Sequence, residues 1–396
     1  MNILYVESSR SWGGQEYRTC LEINWLNASE HRAWLICDPK SEVFPKAQEL
    51  GSRVWAMRLR RRLDPIASLR IWLFCRRHQI NLIKTYSSKD HWLCFPLFVL
   101  GMPLMRARCI TESIGNRKRA FIFKYGCSKI VADARVIKKQ LVEENGVSSD
   151  KIHVIGSGVD LSKFNPSRDR MKFRREMGFS ENTPMIANIG MIRSDKGQKR
   201  FIKAAQIILQ RRPDARFVVV GQGTGDRLRE AELREAIYKS GLESKIIMLG
   251  YRWDTPDILV AADMVVIASL STEASPIVLR EAFASGCPVV ATRIGDVPEI
   301  IKHGENGLIV EPDKVEALAN AIVQFLSDRE LARRCADNAL RYAREHFCFN
   351  RMMQAKLDVD LALIQQDKAS VVTESKGAIS SSRAAAPSVE FVSSDR

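Results

Sequence analysis

Residues 273–292 read EASPIVLREAFASGCPVVAT, which places two carboxylates eight residues apart around the start of a predicted helix. Ser275 is predicted as the N-cap and Pro276 as the first helical residue. The free amides of the first turn and the positive end of the helix dipole then lie beside Glu273 and favour an anion there. Glu281 falls on an otherwise apolar stripe of this helix, where a carboxylate needs hydrogen-bond donors such as ribose hydroxyls. The stretch is typical of a site for a nucleotide sugar.

This pattern resembles the E-x7-E element of the retaining nucleotide-sugar glycosyltransferases of family GT4, which have the two-domain GT-B fold. The resemblance implies that Glu273 contacts the hydroxyls of the donor sugar, that Glu281 holds the ribose, and that the backbone between them meets the diphosphate. That backbone belongs to Ser275, Pro276, Ile277 and Val278. The family usually has glycine where this chain has Ala274. The alternative is an ordinary helix with solvated carboxylates.

A second motif, Gly190-Met-Ile-Arg-Ser-Asp-Lys-Gly197, follows a predicted apolar strand and precedes a predicted helix. A departing diphosphate accumulates negative charge, so cations fixed beside it stabilise the transition state more than the ground state. We therefore predict Arg193 and Lys196 as catalytic residues together with Glu273. In the resembled family an arginine directly follows the first glycine, where this chain has Met191, so Arg193 is displaced and a solvated loop cation is its alternative.

Glycine loops mark two further parts of the predicted donor site. Gly13 and Gly14 follow the first predicted strand, at the edge of a doubly wound sheet where ligands bind. The resemblance implies that this pair lies over the donor phosphates and the acceptor, and the alternative is a plain turn. In the second domain the resemblance assigns the nucleotide base to Gly250, Tyr251 and Arg252.

The acceptor side of the site has less distinct signals. Many members of the resembled family place a histidine of the first domain near the sugar, at positions that Tyr86 and Cys109 occupy here. His91 and Glu112 are the predicted acceptor-side groups, with a structural role as the alternative for either.

Strands alternate with helical patterns along the chain, which predicts the α/β class. The resemblance implies the GT-B fold, two Rossmann-like doubly wound domains that face each other across a cleft. We predict an N-terminal acceptor-side domain at residues 1–165 and a nucleotide-sugar-binding domain at 166–349. A helix at 350–366 then returns to the first domain. Residues 367–396 are rich in Ser, Ala and charge and are predicted to be disordered.

The charge of the chain is concentrated in its first half. Residues 1–170 contain 29 lysines and arginines against 16 aspartates and glutamates, whereas the whole chain has a net charge of +15. Basic clusters at 58–62 and 76–77 flank the apolar residues 71–74, a pattern that suits the surface of an anionic membrane. A solvated basic face is the alternative, and no nucleic-acid motif accompanies the charge. The apolar segment 92–105 contains two prolines and is too short to span a bilayer.

Nine cysteines are scattered without the spacing of metal ligands, which predicts reduced thiols in a cytoplasmic protein, and no signal peptide is recognisable. The resemblance implies a hexosyltransferase-type enzyme of class EC 2.4 that is retaining and needs no metal or other cofactor. It would use a nucleotide-diphosphate sugar and a lipid-linked, lipopolysaccharide or polysaccharide acceptor of the cell envelope, on the cytoplasmic face of the inner membrane. The alternatives are a nucleotide-sugar epimerase, a phosphorylase on a related fold, and a non-catalytic nucleotide-binding module.

Overall fold

The first domain is built on a seven-stranded parallel sheet. The computed structural model describes residues 1–383 except residues 60, 113, 115–116, 224–226 and 272, and it describes side chains up to residue 366 except those of residues 117–119 and 227. The strands are β1 (Asn2–Glu7), β2 (Arg32–Cys37), β3 (Val54–Ala56), β4 (Leu82–Thr85), β5 (Leu104–Arg108), β6 (Lys129–Ala132) and β7 (Ile152–Val154). The helices are α1 (Gly14–Asn27), α2 (Val43–Glu49), α3 (Pro65–Arg77), α4 (Ser88–Val99), α5 (Arg117–Tyr125) and α6 (Arg135–Glu143).

The first sheet has the order β3-β2-β1-β4-β5-β6-β7. Residues 3–7 of the central strand β1 are all buried, because helices cover both faces of a parallel sheet of this kind. The chain moves outward from β1 to β3 and then crosses to the other side of β1 with β4. Such a reversal of strand order opens a crevice at the carboxyl ends of the two strands.

The second domain repeats this arrangement with a six-stranded parallel sheet of order β10-β9-β8-β11-β12-β13. Its strands are β8 (Met185–Ile189), β9 (Arg216–Val220), β10 (Ile246–Met248), β11 (Met264–Ile267), β12 (Val289–Thr292) and β13 (Leu308–Val310). Its helices are α7 (Arg170–Glu176), α8 (Gln198–Arg211), α9 (Arg227–Lys239), α10 (Thr255–Ala261), α11 (Ile277–Ala284), α12 (Val297–Ile300), α13 (Val315–Ser327) and α14 (Arg329–His346). Its order reverses between β8 and β11. The predicted architecture of two doubly wound α/β domains is therefore confirmed.

The passages between the domains lie against each other. The chain leaves the first domain after β7 and returns after α14. The amide of Val159 donates to the carbonyl of Phe347 (2.7 Å), and the amide of Phe349 donates to the carbonyl of Val159 (3.1 Å). A Cβ on Gly158 would lie 2.7 Å from the Cα of Phe349. The two passages are therefore held together by backbone contacts that leave no room for a side chain at Gly158.

The last helix, α15 (Phe349–Arg383), returns to the first domain as predicted but extends further. The sequence predicts that it ends at residue 366, yet the helical backbone continues to Arg383. Alanine, lysine and glutamate are good helix formers, and no proline occurs in this stretch before Pro387. The end of the predicted tail, residues 384–396, and the basic residue Arg60 lie outside the described residues. Among the described helices, none combines the length and the apolar character that crossing a membrane requires.

Buried ion pairs fasten α15 to the first sheet. Asp360 pairs with Lys84 of β4 at 2.5 Å, and Lys356 donates to Glu22 of α1. All four side chains are almost fully buried, and Glu22 also accepts from the hydroxyl of Tyr86 (3.2 Å). Since an unpaired charge at such a depth is costly, each of these groups depends on its partner.

Replacing Asp360 is expected to weaken this attachment. The Asp360→Ala variant leaves the Lys84 ammonium buried without its carboxylate, which should lower the free energy of unfolding by about 3–5 kcal/mol. Asp358→Ala on the exposed side of the same helix is the matched control and should change it by less than about 0.5 kcal/mol. Differential scanning calorimetry of both variants makes the comparison, and equal losses would contradict a specific role for the pair.

Candidate active site

A cavity of about 570 Å³ lies between the two domains, at the carboxyl ends of β1, β8 and β11. These ends are the reversal points of both sheets, where ligands of doubly wound folds bind. The volume is within the usual range for small-molecule sites, roughly 300–1,000 Å³. We call this cavity the cleft. Its walls include every predicted catalytic residue and every predicted donor-binding residue except Gly250.

The segment 273–276 enters α11 in an extended conformation. The helix begins at Ile277 with Pro276 as its N-cap (ψ 116°), so the prediction of Ser275 as the cap was wrong by one residue. Tertiary contacts override the local preference here, because the carbonyl of Ala274 accepts from the amide of Asp296 (2.8 Å) and Glu273 forms an isolated backbone bridge with Ile110 of the first domain. The first turn of α11 still opens into the cleft.

Lys196 and Glu273 meet inside the cleft, where the ammonium donates to the carboxylate. Lys196 lies in a short 3-10 turn after β8, and Gly197 ends that turn with φ 69°. A Cβ on Gly197 would lie 1.9 Å from the carbonyl oxygen of Ala268, so only glycine allows this approach. Burial lowers the pKa of Lys196 to about 8. The lysine predicted from the second motif is thus in direct contact with the first glutamate of the E-x7-E pattern.

Arg193 also lines the cleft, but its guanidinium is engaged by its own loop. Its Nε and Nη2 atoms donate to the two carboxylate oxygens of Asp195 at 2.8 and 2.5 Å. The side chain remains partly exposed on the cleft side. Lys196 is therefore the cation in direct contact with Glu273, and a role of Arg193 toward the diphosphate stays a prediction.

Glu281 lies one and a half turns into α11, on the wall of the cleft. Burial raises the pKa of its carboxyl to about 7, and the nearby Lys163 ammonium acts in the opposite direction. Lys163 donates to the hydroxyl of Tyr17 at 3.1 Å. Hydrogen bonds from hydroxyl donors would stabilise the ionised form of this buried carboxyl, and its role toward a ribose stays a prediction.

The Gly13–Gly14 pair touches the second domain. A Cβ on Gly13 would lie 3.0 Å from the Sδ of Met191, and one on Gly14 would lie 3.0 Å from the Cδ1 of Ile277. The loop after β1 thus approaches both the loop after β8 and the start of α11. The absence of side chains at these two positions brings the domains together over the cleft.

Aromatic rings from both domains form a cluster at one side of the cleft, and Tyr251 is its one member that was predicted as a site residue. This aromatic cluster consists of Trp12, Tyr17, Tyr251 and Trp253. The indole of Trp12 donates to the Tyr251 hydroxyl at 3.1 Å, and Lys46 lies 4.6 Å above the Tyr251 ring. The sequence does contain a signal for this cluster, because each ring lies within four residues of a glycine motif, Gly13–Gly14 or Gly250. Arg252 lines the cleft too, but its guanidinium binds Glu176 and Asp254.

The predicted acceptor-side residues do not line the cleft. His91 is fully buried in the first domain, where its Nε2 lies 2.8 Å from the carbonyl oxygen of Gly126, and burial lowers its pKa to about 3. Glu112 is exposed outside the cleft. Both predictions were wrong in placement. His91 belongs to the capped first turn of α4, which turns its ring into the domain.

The described part of the chain contains no group of three or more His, Cys, Asp or Glu side chains arranged to hold a metal ion.

Family models cover most of the chain in two parts. The model described as "Glycosyltransferase Family 4" matches residues 12–163, and the model described as "Glycosyl transferases group 1" matches residues 169–342. The chain belongs to the group 1 glycosyltransferases of family 4.

Individual relatives match over part of their length. A lipopolysaccharide core biosynthesis mannosyltransferase of Rhizobium meliloti is 31% identical over 205 residues, 51% of this chain and 58% of that protein. A D-inositol 3-phosphate glycosyltransferase of Corynebacterium glutamicum is 32% identical over 212 residues, 52% of this chain and 50% of that protein. The chain therefore spans only half to three fifths of these relatives.

Solved structures show the same fold. The crystal structure of Anabaena HepE in complex with UDP and glucose has a TM-score of 0.80 and 22% identity, covering 91% of this chain and 99% of that one. At this identity the similarity establishes the fold, and the predicted GT-B architecture is confirmed.

The titrations of Glu281 and Lys196 predict a pH optimum for donor binding. Below pH 7 the Glu281 carboxyl is protonated and accepts fewer hydrogen bonds from ribose. Above pH 8 the Lys196 amine is neutral and no longer attracts a diphosphate. Affinity for a nucleotide sugar should thus be greatest between these values. Calorimetric titration over a pH series measures it, and Glu281→Gln should remove the loss on the acid side alone. A wild-type affinity that is constant with pH would contradict this assignment.

Proposed function

We propose that this protein transfers a sugar, with retention of configuration, from a nucleotide-diphosphate sugar to a hydroxyl group of a cell-envelope acceptor. The observation that carries the proposal is the cleft itself. Two separate parts of the sequence, Lys196 after β8 and the segment from Glu273 through the start of α11 to Glu281, line one cavity between the domains. The family of the chain and a relative named as a lipopolysaccharide core mannosyltransferase support the reaction class and the kind of acceptor.

In the proposed reaction, each part of the donor has a partner in the second domain. Glu273 binds hydroxyls of the sugar, the first turn of α11 and Lys196 bind the diphosphate, and Glu281 binds the ribose. As the bond between the sugar and the diphosphate breaks, charge grows on the departing oxygen, and Lys196 stabilises that charge. The acceptor hydroxyl attacks from the same face and its proton passes to the departing phosphate. These steps need no metal ion or other cofactor.

A donor screen followed by a transfer assay tests the proposal. The purified protein is heated with UDP-glucose, UDP-N-acetylglucosamine or GDP-mannose, and a bound ligand at 100 times its dissociation constant should stabilise the fold by about 2.7 kcal/mol. The selected donor is then incubated with a lipopolysaccharide-containing envelope extract. We expect an acceptor-dependent product with the anomeric configuration of the donor, as judged by proton NMR.

The Lys196→Met variant should lower the rate of this transfer by about 10²–10³, the usual effect of removing a group that stabilises transition-state charge. Lys199→Met, an exposed lysine on α8 outside the cleft, is the control and should act like the wild type. A product formed without acceptor would indicate an epimerase, and a requirement for inorganic phosphate would indicate a phosphorylase. Binding without turnover in any assay would indicate a nucleotide-binding module and reject the enzyme.

We further propose that the first domain rests on the cytoplasmic face of the anionic inner membrane through α3. The buried face of α3 includes Ile71 and Phe74, yet its opposite face also carries an apolar stripe. This α3 stripe consists of Ile66, Leu69 and Leu73, which are 71%, 55% and 53% exposed. Exposed arginines flank it, namely Arg61, Arg62, Arg70, Arg76 and Arg77. Apolar side chains bordered by cations match the interface of an anionic bilayer, where the apolar groups enter the lipid and the arginines meet headgroups.

Vesicle sedimentation tests the membrane contact. The wild type should bind vesicles of phosphatidylglycerol, bind phosphatidylcholine weakly, and release at high salt because the attraction is electrostatic in part. Replacing all residues of the α3 stripe by serine should weaken binding more than tenfold, since burial of each side chain is worth on the order of 1 kcal/mol or more. Replacing Tyr238 and Leu361, exposed apolar residues elsewhere, is the control. Unchanged binding of the stripe variant would reject this surface.

A further inference from the structure

A buried ion pair on the first-domain wall of the cleft has no part in donor binding as described above. The guanidinium of Arg18 donates from Nη1 to Asp133 Oδ2 at 2.8 Å, and both side chains are about 5% exposed. Arg18 also donates to the hydroxyl of Ser157 and, through Nη2, to the sulfur of Cys109 at 3.0 Å. The partners follow β5, β6 and β7, so the pair lies at the carboxyl edge of the first sheet.

Two observations place this ion pair near the proposed donor site. Arg18, Cys109 and Asp133 all line the cleft. The residue after Cys109, Ile110, forms the backbone bridge with Glu273, the predicted sugar-binding carboxylate. The Arg18–Asp133 pair therefore lies on the first-domain wall of the cleft, at the strand ends that contact the segment of Glu273.

Asp133 is held in place rather than free to turn. Arg18 is fixed by its bonds to Ser157 and Cys109 and by Glu22, whose carboxylate lies 3.8 Å from Nε. Burial raises the pKa of the Cys109 thiol to about 12, so this sulfur stays neutral beside the ion pair. A carboxylate offers about four acceptor positions on two oxygens, and the bond from Arg18 occupies one position, on Oδ2. A fixed, buried carboxylate of this kind can accept a hydrogen bond from a hydroxyl group of the substrate that is held in a defined orientation.

We propose that Asp133 accepts a hydrogen bond from the hydroxyl group to be glycosylated, and that Arg18 is the residue that positions it. This proposal rests on the proposed function and names the chemistry of the acceptor at this point. A carboxylate repels a phosphate but accepts a hydrogen bond from a hydroxyl group. The acceptor therefore presents a neutral sugar or polyol ring to Asp133. Charged groups of the acceptor would then lie outside the cleft, toward the basic surface of the first domain.

The test compares acceptor use with donor binding. Asp133→Asn keeps the shape of the side chain but weakens the bond to the hydroxyl, so kcat/KM for the acceptor should fall about tenfold to one-hundredfold, the effect of losing one charged hydrogen bond. The acceptor probe is the envelope extract, and the donor is the nucleotide sugar found in the thermal screen. The dissociation constant for the donor should change less than twofold. Glu143→Gln, an exposed carboxylate of the same domain outside the cleft, should leave transfer unchanged.

Arg18→Lys keeps the charge but loses the planar guanidinium that bonds Asp133 through Nη1 and Cys109 through Nη2, so it should raise the KM for the acceptor more than it lowers kcat. If Asp133→Asn unfolds because Arg18 is left unpaired, the double variant Arg18→Gln with Asp133→Asn removes both charges, and it should show the same loss of acceptor use with normal donor binding. Transfer by Asp133→Asn at the wild-type rate, or a parallel loss of donor binding, overturns the role proposed for Asp133 but leaves the proposed function intact. A wild-type protein that transfers no sugar overturns the proposed function, and the assignment with it.

Discussion

The contact between the Lys196 ammonium and the Glu273 carboxylate joins the loop after β8 to the segment before α11, and the proposed donor site is built around it. Both groups are largely withdrawn from water, so each supports the charge of the other. A diphosphate at the start of α11 competes with Glu273 for Lys196, and sugar hydroxyls compete with Lys196 for Glu273. An intact nucleotide sugar offers new partners to both groups at once. On the proposed function, a free sugar would leave Lys196 without a partner and a nucleoside diphosphate would leave Glu273 without one, which favours the complete donor.

The topology explains why this pair can face a second substrate. Each sheet reverses its strand order once near its centre, and the two crevices that result open toward each other. The second domain contributes the residues proposed to bind the donor, whereas the first contributes the glycine loop and the Arg18–Asp133 pair. The chain returns from the second domain to the first with α15, and ion pairs of Lys356 and Asp360 fasten this helix to the first domain. Buried charges behind the cleft therefore support its first-domain wall, because Glu22 pairs with Lys356 and also lies 3.8 Å from Arg18.

The sequence predicted the parts of the site that depend on local spacing. Glu273 and Glu281 share one helix start, and Lys196 lies a fixed distance after a strand, so their places in the cleft could be foreseen. The helix start itself moved by one residue, because a long-range bond from Asp296 holds Ala274 extended. The Arg18–Asp133 pair was missed since its members are 115 residues apart and become neighbours only through the sheet. The placement of His91 and Glu112 was also mispredicted. Both lie near Tyr86 and Cys109 in the sequence, but that proximity does not determine which way their side chains face.

A crystal structure of the protein with a nucleoside diphosphate sugar tests the central claim most directly. We expect the diphosphate to lie within hydrogen-bonding distance of the Lys196 ammonium and the amides of Ile277 and Val278. We also expect the ribose hydroxyls to bind Glu281 and the sugar hydroxyls to bind Glu273 in place of Lys196. A diphosphate bound away from the start of α11, with the contact between Lys196 and Glu273 intact, would contradict it.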